Sequence, residues 1–324
     1  MKPPFSISPL ALGTWAFSGD KVWGKQEETD SIASVHAALA AGVTLIDTAP
    51  MYGDGLSEEI VGKALRGRRD EAVLASKIGE SDLTAEKALA SCEASLKRLQ
   101  TDRIDLLQIH WPGTGETLEE VILAMEKLRR AGKVRACGVC NFGPSHLAKL
   151  RATGHGWVTN QMAYNLLWRA IEFEIVDVCR QDGLGILCYS PLQHGLLSGK
   201  FRTAEDVPVG RHRTRHFRAD RPMSRHGEPG QEELTFATLE RIRQIAARLN
   251  APMADVSLAW LMQRPGVSSV IFGARNPQQV AQNVAAGRLK LDAATMKELD
   301  DATGELKRAL GPNADMWAPV SRIR

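Results

Sequence analysis

Short apolar runs rich in β-branched residues alternate with amphipathic stretches along almost the whole chain. The amphipathic stretches carry apolar residues at helical spacing and end on a glycine or a basic residue, as helices do. Strands that alternate with helices predict a parallel sheet. We predict eight strands, at residues 10–15, 43–49, 72–78, 104–111, 134–141, 158–165, 185–192 and 268–274.

Four polar residues recur at the carboxyl ends of successive predicted strands: Asp47, Lys77, His110 and Asn141. They follow one another at intervals of about thirty residues, the length of one strand, one helix and two loops. Eight such units predict a closed (β/α)8 barrel, in which the active site lies at the C-terminal ends of the strands. An open, doubly wound sheet is the competing arrangement.

A chain of 324 residues is long enough for one such barrel, and we expect residues 1–324 to form a single domain. Residues 201–230 predict a long loop within it, with six arginines between 211 and 225. We favour a solvated, mobile segment for this loop, and a lid that orders over a phosphate-bearing ligand is the alternative. Residues 309–324 form a C-terminal tail.

The stretch DTAPMYGDGLSEE, residues 47–59, joins the second strand to the next helix. We predict that Ser57 caps this helix and that Glu58 and Glu59 favour its positive end. These are ordinary features of a helix start. Any chemistry in the stretch therefore depends on Asp47 and Tyr52.

Composition limits the partners and the location of the protein. The net charge of +3 gives no global argument for binding nucleic acid or an anionic membrane surface. The first residues are too polar for a signal peptide and no long apolar run could span a bilayer, so we expect a cytoplasmic protein. Five scattered cysteines do not predict a disulfide framework, and Cys137 and Cys140 form a CxxC within a predicted strand, which does not favour a redox or metal role.

Several common motifs are missing from the sequence. No predicted strand is followed by GxGxxG, so a Rossmann nucleotide site is unsupported. The stretch HGLLSGKF lacks both the spacing and the Ser/Thr position of a Walker motif. The absence of HExxH and GxSxG argues against the common metalloprotease and α/β-hydrolase activities, and we expect no bound metal.

Asp47, Tyr52, Lys77 and His110 together suit one kind of proton transfer. A free phenol titrates near pH 10, and an ammonium about 4 Å away stabilises its anion by roughly 4 kcal/mol at an effective dielectric constant of about 20. A buried lysine stays charged only if it is paired, and Asp47 is the candidate partner. His110 can orient the same substrate oxygen. This set suits protonation of a developing alkoxide, which accompanies hydride delivery to a carbonyl.

The chain resembles the aldo-keto reductases. DTAPMYGDGLSEE, LASKI and DRIDLLQIHWP match that family's catalytic regions in order and spacing, and the resemblance extends from LALGTW to SVIFGARNPQQVAQN. SEEIVGKAL, YNLLWRAIE and GLLSGKF resemble the bacterial branch related to potassium-channel β subunits. The resemblance implies a (β/α)8 barrel that binds NAD(P)H without a Rossmann fold. In that scheme Tyr52 is the general acid and base, Lys77 lowers its pKa, Asp47 pairs with Lys77, and His110 positions the carbonyl.

The resemblance also implies the cofactor contacts. Asn141 and Gln161 would hold the nicotinamide carboxamide, Tyr189 would stack on the nicotinamide, and the loop from Leu192 to Lys200 would wrap the pyrophosphate. The implied cofactor-binding residues are Gly13, Thr14, Trp15, Asp47, Asn141, Gln161, Tyr189, Ser190, Leu192, Gly195, Leu197, Lys200, Gly273, Ala274, Arg275, Gln279 and Asn283.

Arg275, and Cys140 next to Asn141, bear on cofactor choice and affinity. Arg275 matches the usual 2′-phosphate ligand, and because a guanidinium fits a phosphate in a bidentate manner, NADP is favoured over NAD. Gln279 and Asn283 would face the adenine. Cys140 stands where the family usually has serine, and we expect a modest loss of affinity, since a net hydrogen bond is worth about 1 kcal/mol.

An apolar wall of Trp23, Met51, Trp111 and Trp317 would frame the substrate, with core packing as the alternative for each tryptophan. We therefore expect NADPH-dependent reduction of an aldehyde or ketone. An NAD(P)-dependent dehydrogenase of a sugar or polyol and a cofactor-binding regulatory subunit are the alternatives. The expected partner is a small carbonyl compound, with neither nucleic acid nor membrane, and the sequence specifies neither the substrate nor the oligomeric state.

Overall fold

A computed structural model describes residues 3–20, 22–113, 117–318 and 320–323. Eight parallel strands follow one another around a closed barrel in chain order. This arrangement confirms the predicted (β/α)8 barrel and contradicts the open sheet. The strands are β1 (Leu10–Gly13), β2 (Leu45–Asp47), β3 (Val73–Ile78), β4 (Ile104–Ile109), β5 (Val134–Cys140), β6 (Trp157–Ala163), β7 (Gly185–Tyr189) and β8 (Val267–Gly273).

Helices surround the barrel, and two of them separate β7 from β8. After β8 the chain forms two more helices. The first packs against the helix between β1 and β2, and the second packs against the first of the two helices between β7 and β8. The helices are α1 (Glu28–Ala40), α2 (Leu56–Ala64), α3 (Ala85–Arg98), α4 (Thr117–Arg130), α5 (Pro144–Ala152), α6 (Ile175–Gln181), α7 (Glu232–Arg248), α8 (Met253–Met262), α9 (Pro277–Ala286) and α10 (Ala293–Leu310).

Most of the strands end earlier than the sequence predicted at the edge where the polar residues lie. Asn141 and Ser190, the first residues after β5 and β7, have left-handed backbones with φ of 62° and 52°. A left-handed residue turns the chain out of the sheet, which periodicity does not reveal. The polar residues near these ends therefore lie at the barrel mouth, where the chain leaves the sheet.

The barrel interior has an apolar layer beneath a polar one. The apolar layer, closed from below by Phe5 and Ile7, comprises Ala11, Leu45, Ala75, Leu106, Ala136, Val158, Leu187 and Ile271. Two residues further along their strands, on the same face, Leu45 is followed by Asp47, Ala75 by Lys77 and Leu106 by Gln108. Strand geometry thus places a charged pair directly above a hydrophobic floor.

The loop between β2 and α2 differs from its prediction. Gly55 precedes α2, and no side chain caps the helix. Ser57 lies inside the helix and is buried, and its hydroxyl donates to the carbonyl of Thr14 at 2.9 Å. Glu58 is also buried, paired with Arg98 at 2.7 Å. The predicted cap is wrong because Ser57 instead ties this helix to the end of β1.

The loop at residues 201–230 is packed rather than solvated in its middle, at residues 212–217. Arg213, Arg215 and His216 are buried. Arg215 donates to the carbonyls of Leu310 and Asn313, so the loop holds the end of α10 and the start of the tail. The favoured interpretation of a solvated segment is therefore wrong for this part of the loop. Arginines can pack along apolar surface, which composition alone does not reveal.

Two buried carboxylates fasten the barrel to its surroundings. Asp105, on β4, pairs with Arg69 at 2.6 Å and with Arg135 at 2.7 Å. Glu172, after β6, accepts hydrogen bonds from Arg169 and, at 2.9 Å, from Lys307 of α10. Burial acts to raise the pKa of Glu172, but these cations outweigh it and lower the pKa to about 2. Both groups are structural anchors away from the barrel mouth.

Candidate active site

Lys77 and Asp47 form a buried ion pair at the ends of β3 and β2. The Lys77 Nζ donates to Asp47 Oδ2 and to the carbonyl of Thr48, both at 2.8 Å. Lys77 has no exposed surface and Asp47 is 3% exposed. Burial acts to lower the pKa of Lys77, but Asp47 outweighs it and holds the pKa above its usual value. The lysine is therefore an ammonium at neutral pH.

Tyr52 lies next to this pair, on the turn that follows β2. Its hydroxyl is 3.5 Å from Lys77 Nζ, and its ring stacks on Trp15 at 6.2 Å. Burial of the hydroxyl raises the pKa of Tyr52 to about 12, and the Lys77 charge acts in the opposite direction. The lysine thus has the expected sign of influence, but burial is the larger effect, so the phenol keeps its proton at neutral pH.

His110 completes the group from the end of β4. Its ring centre is 6.2 Å from that of Tyr52, and its Nδ1 is buried with no hydrogen-bond partner among the described residues. Burial, with the charges of Lys77 and Arg322, lowers the pKa of His110 well below its usual value. The ring is therefore neutral and can donate a single N–H to an oxygen.

Both oxygens of Asp47 are engaged by the barrel interior. Gln161 Nε2, from β6, donates to Asp47 Oδ1 at 2.8 Å, and Gln108 Nε2 lies 3.5 Å from the same oxygen. The carboxylate is thus fixed in one orientation toward Lys77. Gln161, predicted to hold a carboxamide, supports the ion pair in this structure.

A chain of hydrogen bonds crosses the mouth from β5 to the C-terminal tail. Asn141 Nδ2 donates to the carbonyl of His110 at 3.1 Å, and the Tyr189 hydroxyl donates to Asn141 Oδ1 at 2.9 Å. Trp317 Nε1 in turn donates to the Tyr189 hydroxyl at 3.1 Å. Two predicted nicotinamide-binding residues are therefore joined to a predicted substrate residue.

Three cations gather where a phosphate was predicted. Burial and the neighbouring Arg275 lower the pKa of Arg211, and burial and Arg211 lower that of Lys200. Gly195 has φ of 94°, and a Cβ there would lie 3.3 Å from Arg211 Nη1. Like charges held together against a glycine turn fit a polyanionic group such as a dinucleotide's phosphates. Arg275 also donates through Nε to Gln26 at 2.8 Å, which links β8 to the loop after β1.

Several other predicted cofactor residues have their side chains packed inside the protein or have no side chain. The side chains of Thr14, Leu197 and Ala274 are buried in the protein, and the Thr14 hydroxyl donates to the carbonyl of Asp47. Gly13 and Gly273 are paired across the β1–β8 seam.

In the two phosphate-side loops, short-range hydrogen bonds occupy several of the predicted groups. The amides of Gly195 and Leu197 donate to the carbonyl of Leu192. Gln279 accepts from the amide of Arg275, and Asn283 donates to the carbonyl of Gln279.

An aromatic cluster lines the mouth above Tyr52. Trp15 contacts Trp23 at 5.4 Å and Trp317 at 6.2 Å, both edge to face. Three predicted residues therefore share one wall, although Trp15 had been assigned to the cofactor. Met51 lies at the rim and is 59% exposed.

Trp111 is covered by the tail rather than open to the mouth. The Arg322 guanidinium lies 3.5 Å from the centre of the Trp111 ring. Arg322 pairs with the fully buried Asp315 at 2.9 Å and with Glu80 at 3.3 Å. The tail is thus fastened beside His110.

Sequence reasoning missed four residues near the mouth: Gln108, Arg211, Arg213 and Arg322. Gln108 precedes His110 by two positions on one strand, so the period of two could have found it. Arg211 and Arg213 were noticed only as part of an arginine-rich loop. Arg322 carries no local signal, because its partners are distant in sequence or, like Asp315, lie in a tail without periodicity.

The described residues contain neither a metal-binding cluster nor a membrane-spanning helix. In this part of the chain, no three residues of the types His, Cys, Asp and Glu are grouped so that they could hold a metal ion. None of the helices described above combines the length and the apolar character needed to cross a membrane.

Comparison with known proteins identifies similar chains. The model of the Aldo/keto reductase family matches residues 9–303. Methylglyoxal reductase YeaE of Escherichia coli (strain K12) is 33% identical, over 92% of this chain and 91% of that protein. An aldo/keto reductase from Klebsiella pneumoniae, solved with NADP and acetate, has a TM-score of 0.72 at 32% identity, covering 91% of each chain. Glycerol dehydrogenase AKR11B4 of Gluconobacter oxydans has a TM-score of 0.80 at 31% identity, covering 95% of this chain and 93% of that one.

Proposed function

The chain belongs to the aldo/keto reductase family, and we propose that it is an NADPH-dependent reductase of small aldehydes or ketones. The observation that carries the proposal is the position of Lys77 Nζ, which contacts Asp47 at 2.8 Å and the Tyr52 hydroxyl at 3.5 Å. A buried ammonium between a carboxylate and a phenol serves proton transfer better than it serves stability, since burying such charges is costly.

In this proposal Tyr52 donates its proton to the carbonyl oxygen as negative charge develops there. The high pKa of Tyr52 keeps the proton in place until an alkoxide, which is more basic, forms nearby. Lys77 then stabilises the phenolate that remains. His110, neutral because of burial, donates its N–H to the same substrate oxygen and fixes its direction.

The cofactor would lie across the mouth, from Asn141 to Arg275. NADPH, when bound, supplies the hydride that the protein's own side chains cannot provide. Asn141 and Gln161 would hold the carboxamide, and the Tyr189 ring would support the nicotinamide. Lys200, Arg211 and Arg275, together with the other positions assigned from the family resemblance, would hold the phosphates and the adenosine. The structure solved with NADP from K. pneumoniae supports this choice of cofactor.

Oxidation of an alcohol is the second candidate, because the same groups run in reverse. The similarity to a glycerol dehydrogenase favours it specifically. In that direction Tyr52 accepts the proton from the alcohol, and the lowering influence of Lys77 on its pKa matters more. The ratio of the two rates at neutral pH, measured with one aldehyde and its alcohol, distinguishes the candidates.

The variant Tyr52→Phe tests the proposal. It removes only the hydroxyl, so we expect kcat for an aldehyde such as methylglyoxal to fall by roughly 10² to 10⁴, with the Kd for NADPH within about twofold, since the phosphate contacts remain. Tyr164→Phe is the matched control, because the Tyr164 hydroxyl bonds to Glu172, away from the mouth. Tyr164→Phe should lower the free energy of unfolding and leave kcat nearly unchanged. An undiminished kcat in Tyr52→Phe would refute the proposed mechanism.

A further inference from the structure

Arg213 is a buried cation whose Nε has no hydrogen-bond partner among the described residues. The residue is 6% exposed. Its guanidinium packs on the ring of Trp317, whose centre lies 5.5 Å from Cζ. An unpaired charge in such a place is costly, so a counter-ion would be strongly favoured there.

Two more nitrogen atoms without hydrogen-bond partners belong to the aromatic cluster that includes Trp317. His194 is 8% exposed and its Nε2 has no partner among the described residues, and the same holds for Trp23 Nε1. The His194 ring is 5.2 Å from Trp317 and 6.4 Å from Trp23. Burial and neighbouring cations, Arg213 first, lower the pKa of His194 to about 3. The ring is therefore neutral and can donate from Nε2.

Within the part of the chain that the structure describes, no carboxylate pairs with Arg213. The carboxylate whose field reaches Arg213 is Asp20. Its oxygens already accept from Trp15 Nε1 at 2.9 Å and from the amides of Val22 and Trp23. Arg225 adds further positive charge. Arg213, His194 and Trp23 thus offer hydrogen-bond donors, and the described residues place no free acceptor with them.

We propose that Arg213, His194 and Trp23 bind the anionic group of the substrate, so that this reductase acts on carbonyl compounds bearing a carboxylate or a phosphate. The inference rests on the proposed function. It concerns the substrate because Trp317, which supports Arg213, also contacts Trp15, the ring stacked on Tyr52. The cofactor phosphates have cations of their own in Lys200 and Arg275. Arg211 borders both sites, because its guanidinium lies 5.5 Å from the centre of the Trp23 ring and donates to the carbonyl of His194 at 3.2 Å.

The distance between the two sites limits the substrate. Two aromatic contacts separate Tyr52 from Trp317, each of 6.2 Å between ring centres, and Arg213 follows. These contacts set an upper limit on the distance from Tyr52 to Arg213, so the anionic group would be separated from the carbonyl carbon by a spacer of aromatic size. Aromatic aldehydes with a distal acidic group are therefore suitable test compounds.

The experiment compares matched pairs of aldehydes. One pair is 4-carboxybenzaldehyde with the neutral 4-nitrobenzaldehyde, and a longer pair is 4-formylcinnamate with its neutral methyl ester. For wild type we expect kcat/KM to favour the anionic member of at least one pair. In Arg213→Gln the ratio of kcat/KM for the anionic aldehyde to kcat/KM for the neutral one should fall about tenfold to a hundredfold, as for loss of a charged hydrogen bond. The change should come chiefly from KM for the anionic aldehyde. Arg213→Lys should recover part of the ratio.

Controls separate this site from others. Arg218→Gln removes a charge from the same loop at an exposed position, where Arg218 pairs with Asp220, and the ratio should stay within about twofold. If Arg213→Gln weakens NADPH binding and leaves the ratio unchanged, the anion is a cofactor phosphate and the proposal is overturned. If neither the ratio nor NADPH binding changes, Arg213 binds no anion and the proposal is likewise overturned. Failure of wild type to reduce even the neutral aldehydes would count against the proposed function instead.

Discussion

Replacing Asp47 by asparagine removes one charge from the barrel interior and changes the shape of the site little. In wild type, Asp47 Oδ2 accepts from Lys77 at 2.8 Å and Oδ1 from Gln161 at 2.8 Å. The amide introduced by Asp47→Asn can keep its oxygen toward either partner but carries no charge. Lys77, with no exposed surface, is left as an unpaired ion.

The size of the effect follows from these distances. Two unit charges at the Lys77–Asp47 distance of 2.8 Å attract by roughly 6 kcal/mol at an effective dielectric constant of about 20. Breaking a buried pair commonly costs about 3–5 kcal/mol. Because burial is then unopposed, the pKa of Lys77 falls and the lysine loses its proton at neutral pH. Tyr52 loses the cation 3.5 Å from its hydroxyl, and we expect kcat to fall by roughly 10² to 10³.

The assay is the steady-state oxidation of NADPH with one aldehyde across a range of pH. The group concerned is a lysine, so its charge is present below its pKa and is lost as the pH rises through it. In Asp47→Asn the pKa of Lys77 is lower, so the loss of its charge moves down toward neutral pH. The ratio of variant to wild-type kcat should therefore recover as the pH falls, because Lys77 regains its proton.

Asp105→Asn is the matched control. Asp105 is equally buried on a barrel strand and paired with two arginines, so its loss should lower the melting temperature while kcat stays within about twofold. Two results would refute the role given to the Lys77 charge. One is a ratio of Asp47→Asn kcat to wild-type kcat that does not depend on pH, and the other is a kcat for Asp47→Asn close to that of wild type.

Three other variants test separate parts of the site and the fold. Arg275→Gln should weaken NADPH binding about tenfold or more and leave NADH binding within about twofold, and an equal loss for both cofactors in a titration would contradict phosphate recognition. Cys140→Ser should tighten NADPH binding by up to about fivefold, since a hydroxyl donates better than a thiol, and a weaker Kd would show that the thiol is preferred. The Glu172 pKa of about 2 means that its stabilising contribution is present above the unfolded value near 4.3 and is lost as the pH falls toward 2. The melting temperature of Glu172→Gln should thus lie below wild type at pH 7 and converge with it in acid, and a gap that persists there would contradict the assignment.

The sequence predicted the barrel because alternation of strand and helix is a local pattern that repeats. It also predicted which residues meet at the mouth, since Asp47, Lys77 and His110 follow consecutive parallel strands whose carboxyl ends share one edge. The direction of the Lys77 effect on Tyr52 was predictable from charge. Whether the Lys77 charge or burial has the larger effect on the pKa of Tyr52 was not predictable. The packing around the hydroxyl depends on residues such as Trp15 that come from elsewhere in the chain.

The arginine-rich loop and the tail escaped prediction for the same physical reason. Arg213 and Arg215 look solvated in sequence, and they are buried because they pack against Trp317 and the end of α10. Arg322 covers Trp111 across more than half the chain. Contacts of this kind have no period and no motif, so only the folded arrangement reveals them.

The seam between the first and the last strand has a consequence for protein synthesis. Because β1 pairs with β8, with Gly13 beside Gly273, the mouth is assembled from both extremes of the barrel. A nascent chain on the ribosome cannot offer Arg275 to Gln26 until most of the polypeptide has emerged. On the proposed function, NADPH therefore has no site on any growing chain that lacks β8, and the earlier intermediates have to avoid aggregation without help from the cofactor.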